Sequence, residues 1–281
     1  MKLQNASHHF DKMPVYDAYT GTKLFNAQIG PYDDSKRDAL NVLRRIISTR
    51  ADSLPPTRRA VRTVDRENGD VWILGLANHD VFLRERIRAK WIAQRAHGLF
   101  SIRTPAQAIA GTGGTAAYAG LAWLKDWKDP EYGSRTFPYY EIYFAPGEPV
   151  EPGSYLVVGT QTFRVRGTYS AESLMLVAEC DELPATRQLV TLVTKASYSP
   201  TTDSTATTSA SVPALVMRFM VNYEFQQESA PKREEGDMVV LIDKSDQPTA
   251  PVGSTVYING RSYRTLSAVS EADAWRLHVR P

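Results

Sequence analysis

The chain has 281 residues, of which 42% are hydrophobic and 23% charged, and its formal net charge is +2. These fractions are close to the average of globular proteins, so they exclude wholesale disorder and collagen-like or coiled-coil repeats. The single cysteine, Cys180, excludes an internal disulfide framework and a multi-cysteine zinc site.

No apolar run approaches the ~20 residues needed to span a bilayer, and no secretory signal is recognisable. We therefore expect a soluble protein made in a reducing compartment. The charge is uneven along the chain: residues 1–104 carry 18 Lys/Arg against 11 Asp/Glu, and the remainder carries 15 against 20. Such polarity suits head-to-tail packing of unlike surfaces, or it is ordinary surface variation.

The N-terminal part contains helix and strand signals. Leu40, Leu43 and Ile47 recur at i, i+3 and i+7 after Ser35, a good N-cap, and predict a helix over about 35–50. Two further segments, Ala60–Val64 and Val71–Leu74, flank an Asn-Gly pair that suits a type I′ turn. They predict a hairpin.

The segment 80–97 has two conflicting periodicities. Leu83, Ile87 and Trp91 fit a helix, which we predict, while basic residues alternate as they would on one face of a strand. The basic residues are Arg84, Arg86, Arg88 and Lys90. They form a solvated face, or they contact DNA phosphates or an acidic subunit.

After this segment, Thr104-Pro105 predicts a short helix over 105–110 that stops at Gly111. From about residue 136 the sequence consists of short runs of β-branched and aromatic residues separated by Gly, Pro, Asp or Ser. This pattern predicts antiparallel β structure, as a sandwich or small barrel. A Ser/Thr-rich stretch at about 198–212 interrupts it and predicts a disordered or extended arm.

These patterns predict a mainly β protein with an α+β N-terminal part. Residues 1–133 are predicted to form an α+β domain with a basic surface. Residues 134–281 are predicted to form an antiparallel β domain of small barrel or sandwich units.

A short motif occurs twice, 100 residues apart. It reads PGSYLVVGTQTFR at residues 152–164 and VGSTVYINGRSYR at residues 252–264, and ENGDVWILG at residues 67–75 is a looser third copy. The motif predicts a repeated three-stranded meander with a tight turn and an aromatic residue after it. Alternatively, the likeness is the common occurrence of aromatic residues after hairpin glycines.

Residues 256–279, together with the stretch 61–92, resemble the closing meander of small β-barrel proteins from the necks of tailed bacteriophages. These are head-completion, stopper and head–tail joining proteins. The resemblance implies a non-enzymatic virion protein that forms a ring of six or twelve copies. It also implies portal, adaptor or tail proteins as partners, no membrane, and DNA that passes through the channel without sequence-specific binding. The greater length and the Ser/Thr stretch depart from the simple stoppers and suggest a multi-barrel neck or tail-connection protein.

The sequence contains no recognisable catalytic motif. No His-x-x-x-His or Gly-x-Ser-x-Gly spacing occurs, and the glycine-rich stretch 111–115 lacks the lysine of a phosphate loop. The carboxylates Asp181 and Glu182 would raise the pKa of Cys180 rather than activate its thiolate. We therefore predict no catalytic residue, no cofactor and no metal site, and expect that the chain is not an enzyme.

Besides the basic residues, two groups are candidates for contacts with partners. Trp123 and Trp127, at i and i+4, mark a helix face that is buried either on a partner or in the core. In the Ser/Thr stretch, Thr201, Ala206 and Ser209 are expected to order against a neighbouring subunit. The alternative function is a carbohydrate- or receptor-binding β module, such as a tail accessory protein or adhesin. The 14 tyrosines would supply its stacking platforms.

Overall fold

The structure is a computed structural model. It describes residues 13–31, 44–50, 53, 55–63, 69–82, 85–124, 128–129, 133–134, 139–171, 175–199, 204–218 and 236–281. Within these residues the chain forms three closed antiparallel barrels of six strands each, which follow one another along the sequence.

Barrel 1 is built from the first six strands. They are β1 (Met13–Asp17), β2 (Lys23–Pro31), β3 (Arg44–Arg50), β4 (Ala60–Thr63), β5 (Val71–Phe82) and β6 (Glu85–Arg95). Their order around the barrel is β1-β2-β3-β6-β5-β4. The core contains Ile47, Trp72 and Trp91, and the Phe25 ring stacks on Trp91 with centroids 5.6 Å apart. Along β6 the core residues Ala89, Trp91 and Ala93 alternate with the less buried Lys90 and Ile92, as the pleat of a strand requires.

Barrel 2 includes the only helix among the described residues. Its strands are β7 (Gly98–Arg103), β8 (Thr115–Leu124), β11 (Tyr139–Phe144), β12 (Tyr155–Val158), β13 (Gln161–Ser170) and β14 (Leu176–Leu183). The helix α1 (Pro105–Ala110) connects β7 to β8, and a small pair, β9 (Lys128–Asp129) and β10 (Gly133–Ser134), lies between β8 and β11 in the sequence. Phe100, Phe144 and Phe163 meet in the core.

Barrel 3 follows barrel 2 and contains the longest strands among the described residues. They are β15 (Ala185–Ser199), β16 (Ser204–Arg218), β17 (Met238–Asp243), β18 (Thr255–Ile258), β19 (Arg261–Glu271) and β20 (Ala274–Arg280). The core is aliphatic apart from Tyr263, with Val240, Val256 and Leu277 fully buried.

All three barrels have the same topology. If the strands of each barrel are lettered a to f in chain order, the order around every barrel is a-b-c-f-e-d, with d closing onto a. The chain is therefore a tandem array of one fold. Barrels 1 and 2 are separated by Ala96 and His97 alone, and barrels 2 and 3 by Pro184 alone.

The three copies of the sequence motif form the same part of each barrel, the d–e hairpin. In each, the aromatic residue of strand e is buried and lies opposite a buried aliphatic residue of strand d. The pairs are Trp72–Val61, Phe163–Leu156 and Tyr263–Val256. Two residues further on, the register between strands e and f shifts by a bulge, after Leu74, Val165 and Thr265. A bulge at one position in three barrels is a shared structural feature rather than a local defect.

The turn that precedes strand d is also repeated. In each barrel the residue before strand d donates its backbone N–H to the carbonyl three residues earlier. These bonds are Arg59 to Pro56 (2.9 Å), Ser154 to Glu151 (3.0 Å) and Ser254 to Pro251 (3.2 Å). The carbonyl of the same residue accepts a hydrogen bond from a backbone N–H of strand e. The donors are Leu74 to Arg59, Val165 to Ser154 and Thr265 to Ser254. The repeat thus extends from sequence to backbone hydrogen bonding.

Two predictions about the N-terminal part were wrong. Residues 44–50 of the helix predicted over 35–50 form strand β3, and residues 32–43 lie outside the described residues. The segment 80–97, predicted as a helix, forms the end of β5 and all of β6. In β6 the buried residues Ala89, Trp91 and Ala93 alternate with period two, so the strand periodicity prevailed over the helical one. The N-terminal part is therefore β rather than α+β.

Other predictions were confirmed: the protein is mainly β and is built from small antiparallel barrels. The predicted hairpin forms as β4 and β5 with Ala60 opposite Ile73, although residues 64–68 between the two strands lie outside the described residues. Helix α1 begins after Thr104 in a capping box with Gln107 and ends at Gly111 with φ 74°. The division of the chain into two domains at residue 133 stays a prediction; that position lies between β8 and β11, which are neighbouring strands of barrel 2.

Candidate functional site

The junction between barrels 1 and 2 includes the turn that connects strands a and b of barrel 1. Tyr19 of this turn accepts the backbone N–H of Tyr118 in β8 at 3.0 Å, and the two rings lie 5.1 Å apart. Arg58 stacks on Tyr19 at 4.2 Å and donates to Glu148 of barrel 2 at 2.8 and 3.1 Å. Burial raises the pKa of Tyr19, and the hydrogen bond to Glu148 raises the pKa of Arg58. The junction is a specific polar contact.

The junction between barrels 2 and 3 is formed by the a–b connection of barrel 2, which is helix α1. Ala108 and Ile109 of the helix pack against Leu215, Met217 and Leu241 of barrel 3. All five side chains are buried, although each strand residue lies on the outside of its own barrel. This junction therefore has an apolar centre, as expected for a permanent contact.

An ion pair lies beside this apolar centre. Arg164 of β13 donates to Glu271 at 2.7 Å, and the side chain of Glu271 is only 9% exposed. The backbone N–H of Ala106 donates to the Asp273 carboxylate at 3.0 Å. Burial, together with the charge of Glu271, raises the pKa of the fully buried Tyr155. Removing one partner of such a pair would leave a charge in a poorly hydrated place.

Both junctions share one feature: the a–b connection of one barrel contacts the outer face of strand b of the next. At the second junction helix α1 also packs on strand c, through Leu241 of β17. In barrel 2 that face carries Tyr118, between the core residues Ala117 and Ala119. In barrel 3 it carries Leu215 and Met217, which alternate with core residues of β16. We call this surface the outer b face.

The a–b connection of barrel 3 is a long two-stranded extension. Strands β15 and β16 pair from Ala185–Met217 to Ser199–Ser204, but β15 pairs with β18 only over Thr191–Val193, and β16 with β17 only over Ala214–Arg218. Residues 194–199 and 204–209 thus extend beyond the barrel, and we call them the ribbon. Its exposed part includes Thr207, Thr208 and Ser209.

The interaction residues predicted from the sequence lie on three different barrels and are not brought together. Arg86, Arg88 and Lys90 lie in β6 of barrel 1, Trp123 lies in β8 of barrel 2, and Ala206 and Ser209 lie in β16 of barrel 3. Arg84, Trp127 and Thr201 lie outside the described residues. Trp123 is in a strand, so it does not belong to a helix face as predicted.

Sequence reasoning did not identify the junction residues. Arg58 and Glu148 are 90 residues apart in the chain, and Arg164 and Glu271 are 107 apart. No local pattern relates residues at such distances. Arg58 lies in the turn before strand d, and that turn belongs to the repeated unit. This position was the one sequence signal that could have pointed to Arg58 as a junction residue.

Two other polar groupings have structural roles. A depression of about 260 Å³ in barrel 1 is lined partly by Trp72 and Arg95, but Arg95 pairs with Asp70 at 2.8 Å. The Trp72 indole N–H donates to Thr63 at 3.2 Å, and its ring is only 6% exposed, so it offers no open stacking face to a sugar.

The second grouping is at the start of β17 in barrel 3. The fully buried carboxylate of Asp237 lies 2.7 Å from His278 Nε2 and accepts two hydrogen bonds from Arg280, at 2.9 and 3.0 Å. These contacts tie β17 to the last strand of the barrel.

Comparison with known protein families, with curated proteins and with solved structures finds no match to this chain. Within the described part of the chain, no three His, Cys, Asp or Glu side chains are grouped to hold a metal ion. Among the same residues, no helix is long and apolar enough to cross a membrane. The junctions and the ribbon are therefore the features from which a function can be argued.

Proposed function

We propose that the chain is a structural virion protein of a tailed phage and forms a ring in the head–tail connection. The observation that carries the proposal is the tandem array of three barrels of one topology, joined by linkers of one or two residues. Such short linkers, together with the polar and apolar junctions, hold the three barrels in fixed positions relative to one another. A displacement of one end of the array would therefore displace the other end.

The array also has features that suit assembly. The ribbon exposes uncharged Ser and Thr residues beyond the body of barrel 3. The d–e–f meander of barrel 3, residues 256–279, is the stretch that resembles neck proteins of tailed phages. We propose that the partners are other copies of the chain, in a ring of six or twelve, and portal, adaptor or tail proteins of the virion.

In this proposal, strand β6 lines the channel through which the DNA passes. Arg86, Arg88 and Lys90 occupy alternate positions along it, and they would contact phosphates without reading sequence. The site of action is the virion, after assembly in the host cytoplasm, and the role requires no catalytic step.

The test is electron microscopy of the purified chain, combined with mass photometry of the same sample and of the sample mixed with purified portal rings. Closed rings with an axial channel, alone or on the portal, are the expected result. A chain that stays monomeric in both samples would contradict the proposal. A saturable change of Trp fluorescence on adding glycans would favour a carbohydrate-binding module instead.

A further inference from the structure

Among the described residues, one a–b connection and one outer b face are not used in the junctions between the barrels. The unused connection is the ribbon of barrel 3, in which Thr207 and Ser209 are exposed. The unused face is on β2 of barrel 1, where Asn26 and Gln28 alternate with the core residue Ala27. Gln28 is exposed, and a side-chain atom added at Gly30 would have no described atom within 4 Å.

We infer that the ribbon of one copy docks on the outer b face of barrel 1 in a second copy. Barrel 1 docks on barrel 2, and barrel 2 on barrel 3, through the same two surfaces. A third contact of this kind joins barrel 3 of one chain to barrel 1 of the next. With this contact, the ribbon and the outer b face of barrel 1 are both occupied in every copy of a closed ring. In an open array they stay unoccupied only at the two ends.

The edge chemistry of the ribbon supports this contact. Beyond Val193 and before Ala214, the described ladders give β15 and β16 no partner other than each other. Exposed strand edges are usually protected by charged residues or proline. The stretch 204–212 of β16 contains neither, although Pro213 follows it directly and Lys195 lies in β15. A long edge with so little protection is suited to a contact with another chain rather than to exposure to water. Because β2 already pairs with β1 and β3 in a closed barrel, the ribbon would lie across the outer face of β2 rather than add a strand to it.

The side chains of the two surfaces also match. The ribbon exposes the hydroxyls of Thr207, Thr208 and Ser209, and the receiving face has the amides of Asn26 and Gln28. Hydroxyls and amides both donate and accept hydrogen bonds, so these side chains can pair directly with one another. The contact therefore has the polar character of the Tyr19–Tyr118 junction rather than the apolar character of the helix junction.

The inference deepens the proposed function, because a head-to-tail contact between identical copies closes into a ring or continues as a filament. It identifies which parts of two subunits touch. It does not require DNA or a portal protein, so it can be tested on the purified chain alone.

The first experiment is disulfide trapping between two variants, Ser209→Cys on the ribbon and Gln28→Cys on barrel 1. The native Cys180 is buried and its pKa is raised by burial, so it contributes little background. Mixing the variants under mild oxidation is expected to give a cross-linked dimer at several times the yield of a control mixture. The control pairs Ser209→Cys with Val269→Cys, an exposed position on strand e of barrel 3. Equal yields at the highest soluble concentration would overturn the inference.

The second experiment shortens the ribbon by replacing residues 195–207 with Asn-Gly, which forms a two-residue hairpin turn. The core residues Val190, Leu192 and Val212 are retained, so thermal unfolding should be nearly unchanged. Self-association measured by sedimentation is expected to weaken by at least about tenfold. Unchanged self-association would overturn the inference.

The two experiments separate the ribbon contact from the connector role. Rings that persist in the shortened variant, without trapping between positions 209 and 28, would refute the ribbon contact and leave the ring proposal intact. Trapping between those positions in a chain that forms only filaments would support the contact and refute the connector ring.

Discussion

At the residue scale, the junctions depend on a few charged side chains that are partly shielded from water. Glu271 is the clearest case, because it is the acceptor for Arg164 and lies 3.7 Å from Arg276. Its side chain is much less exposed than that of either arginine. The loss of its charge would leave two guanidinium groups close together at a junction with little water.

We predict that Glu271→Gln destabilises the chain by about 2 kcal/mol, since one partner of a largely buried ion pair loses its charge. Urea unfolding followed by Trp fluorescence measures the change. Asp246→Asn is the matched control, because Asp246 is exposed in the turn after β17 and should change stability by less than about 0.5 kcal/mol. Similar losses of unfolding free energy in both variants would show that the Arg164–Glu271 ion pair makes no specific contribution to stability.

A second prediction concerns Tyr140, which donates to Glu182 at 2.9 Å. Burial, together with this bond, raises the pKa of Tyr140 from 10.0 to about 12. Since the folded pKa exceeds the unfolded one, this contribution to stability is complete below pH 10 and is lost as the pH rises to about 12.

The stability advantage of the wild type over Tyr140→Phe should therefore shrink between those two pH values. Denaturant unfolding of both proteins across this range measures it. Glu182→Gln, which removes one cause of the raised pKa, should narrow the pH window. A constant difference between wild type and Tyr140→Phe would contradict the assignment.

At the element scale, the d–e hairpin is the unit that recurs. Its turn in barrel 3 shows why: Asn259 and Gly260 both have positive φ, 50° and 77°, as a type I′ turn requires. The turn sets the register, and the register places one aromatic of strand e opposite one aliphatic of strand d inside the barrel. The same requirement in each barrel explains the motif at residues 67–75, 152–164 and 252–264.

We therefore predict that Phe163→Ala destabilises the chain by about 3–5 kcal/mol, because it leaves a cavity in a packed core. Trp72→Ala should have a comparable effect on barrel 1. Tyr169→Ala, on the same strand as Phe163 but 41% exposed, should cost far less. Thermal unfolding compares the variants, and a small effect at Phe163 would contradict the role given to the hairpin aromatic.

At the scale of the whole molecule, an ion pair connects the basic N-terminal part with the acidic remainder of the chain. Arg58, from the basic N-terminal part, pairs with Glu148 of the following barrel. Close approach of barrels 1 and 2 also depends on Gly120. A Cβ there would lie 2.6 Å from Gln94 Cγ and 2.9 Å from the Arg95 carbonyl oxygen. Barrels 1 and 2 can approach this closely because position 120 of β8 is a glycine and has no side chain.

We predict that Gly120→Ala loosens the contact of barrels 1 and 2 while leaving each barrel folded, because the added methyl group meets backbone of the neighbouring barrel. Small-angle X-ray scattering should show a larger radius of gyration, and amide exchange around Ala96 and His97 should become faster. Gly30→Ala is the matched control, since a Cβ there meets no described atom within 4 Å. Identical scattering of both variants would contradict the prediction.

Local chemistry was sufficient for the β content, for helix α1 and for the repeated hairpin. Each depends on neighbours in sequence: a capping box, a Gly-containing turn, or alternation with period two. The segment containing β6 shows the limit, because its helical and strand periodicities were both present. The choice between them was made by pairing with β3 and β5, which surround a core containing Trp91.

The sequence by itself determined that the chain is a mainly β protein with a recurring meander, because hydrophobic alternation and turn residues act over a few positions. The tertiary structure alone decided that there are three barrels, and which surfaces join them. The pairs Arg58–Glu148 and Arg164–Glu271 and the packing of helix α1 on barrel 3 connect residues far apart in the chain. Contacts of that range depend on how whole barrels close and dock, and no local pattern records them.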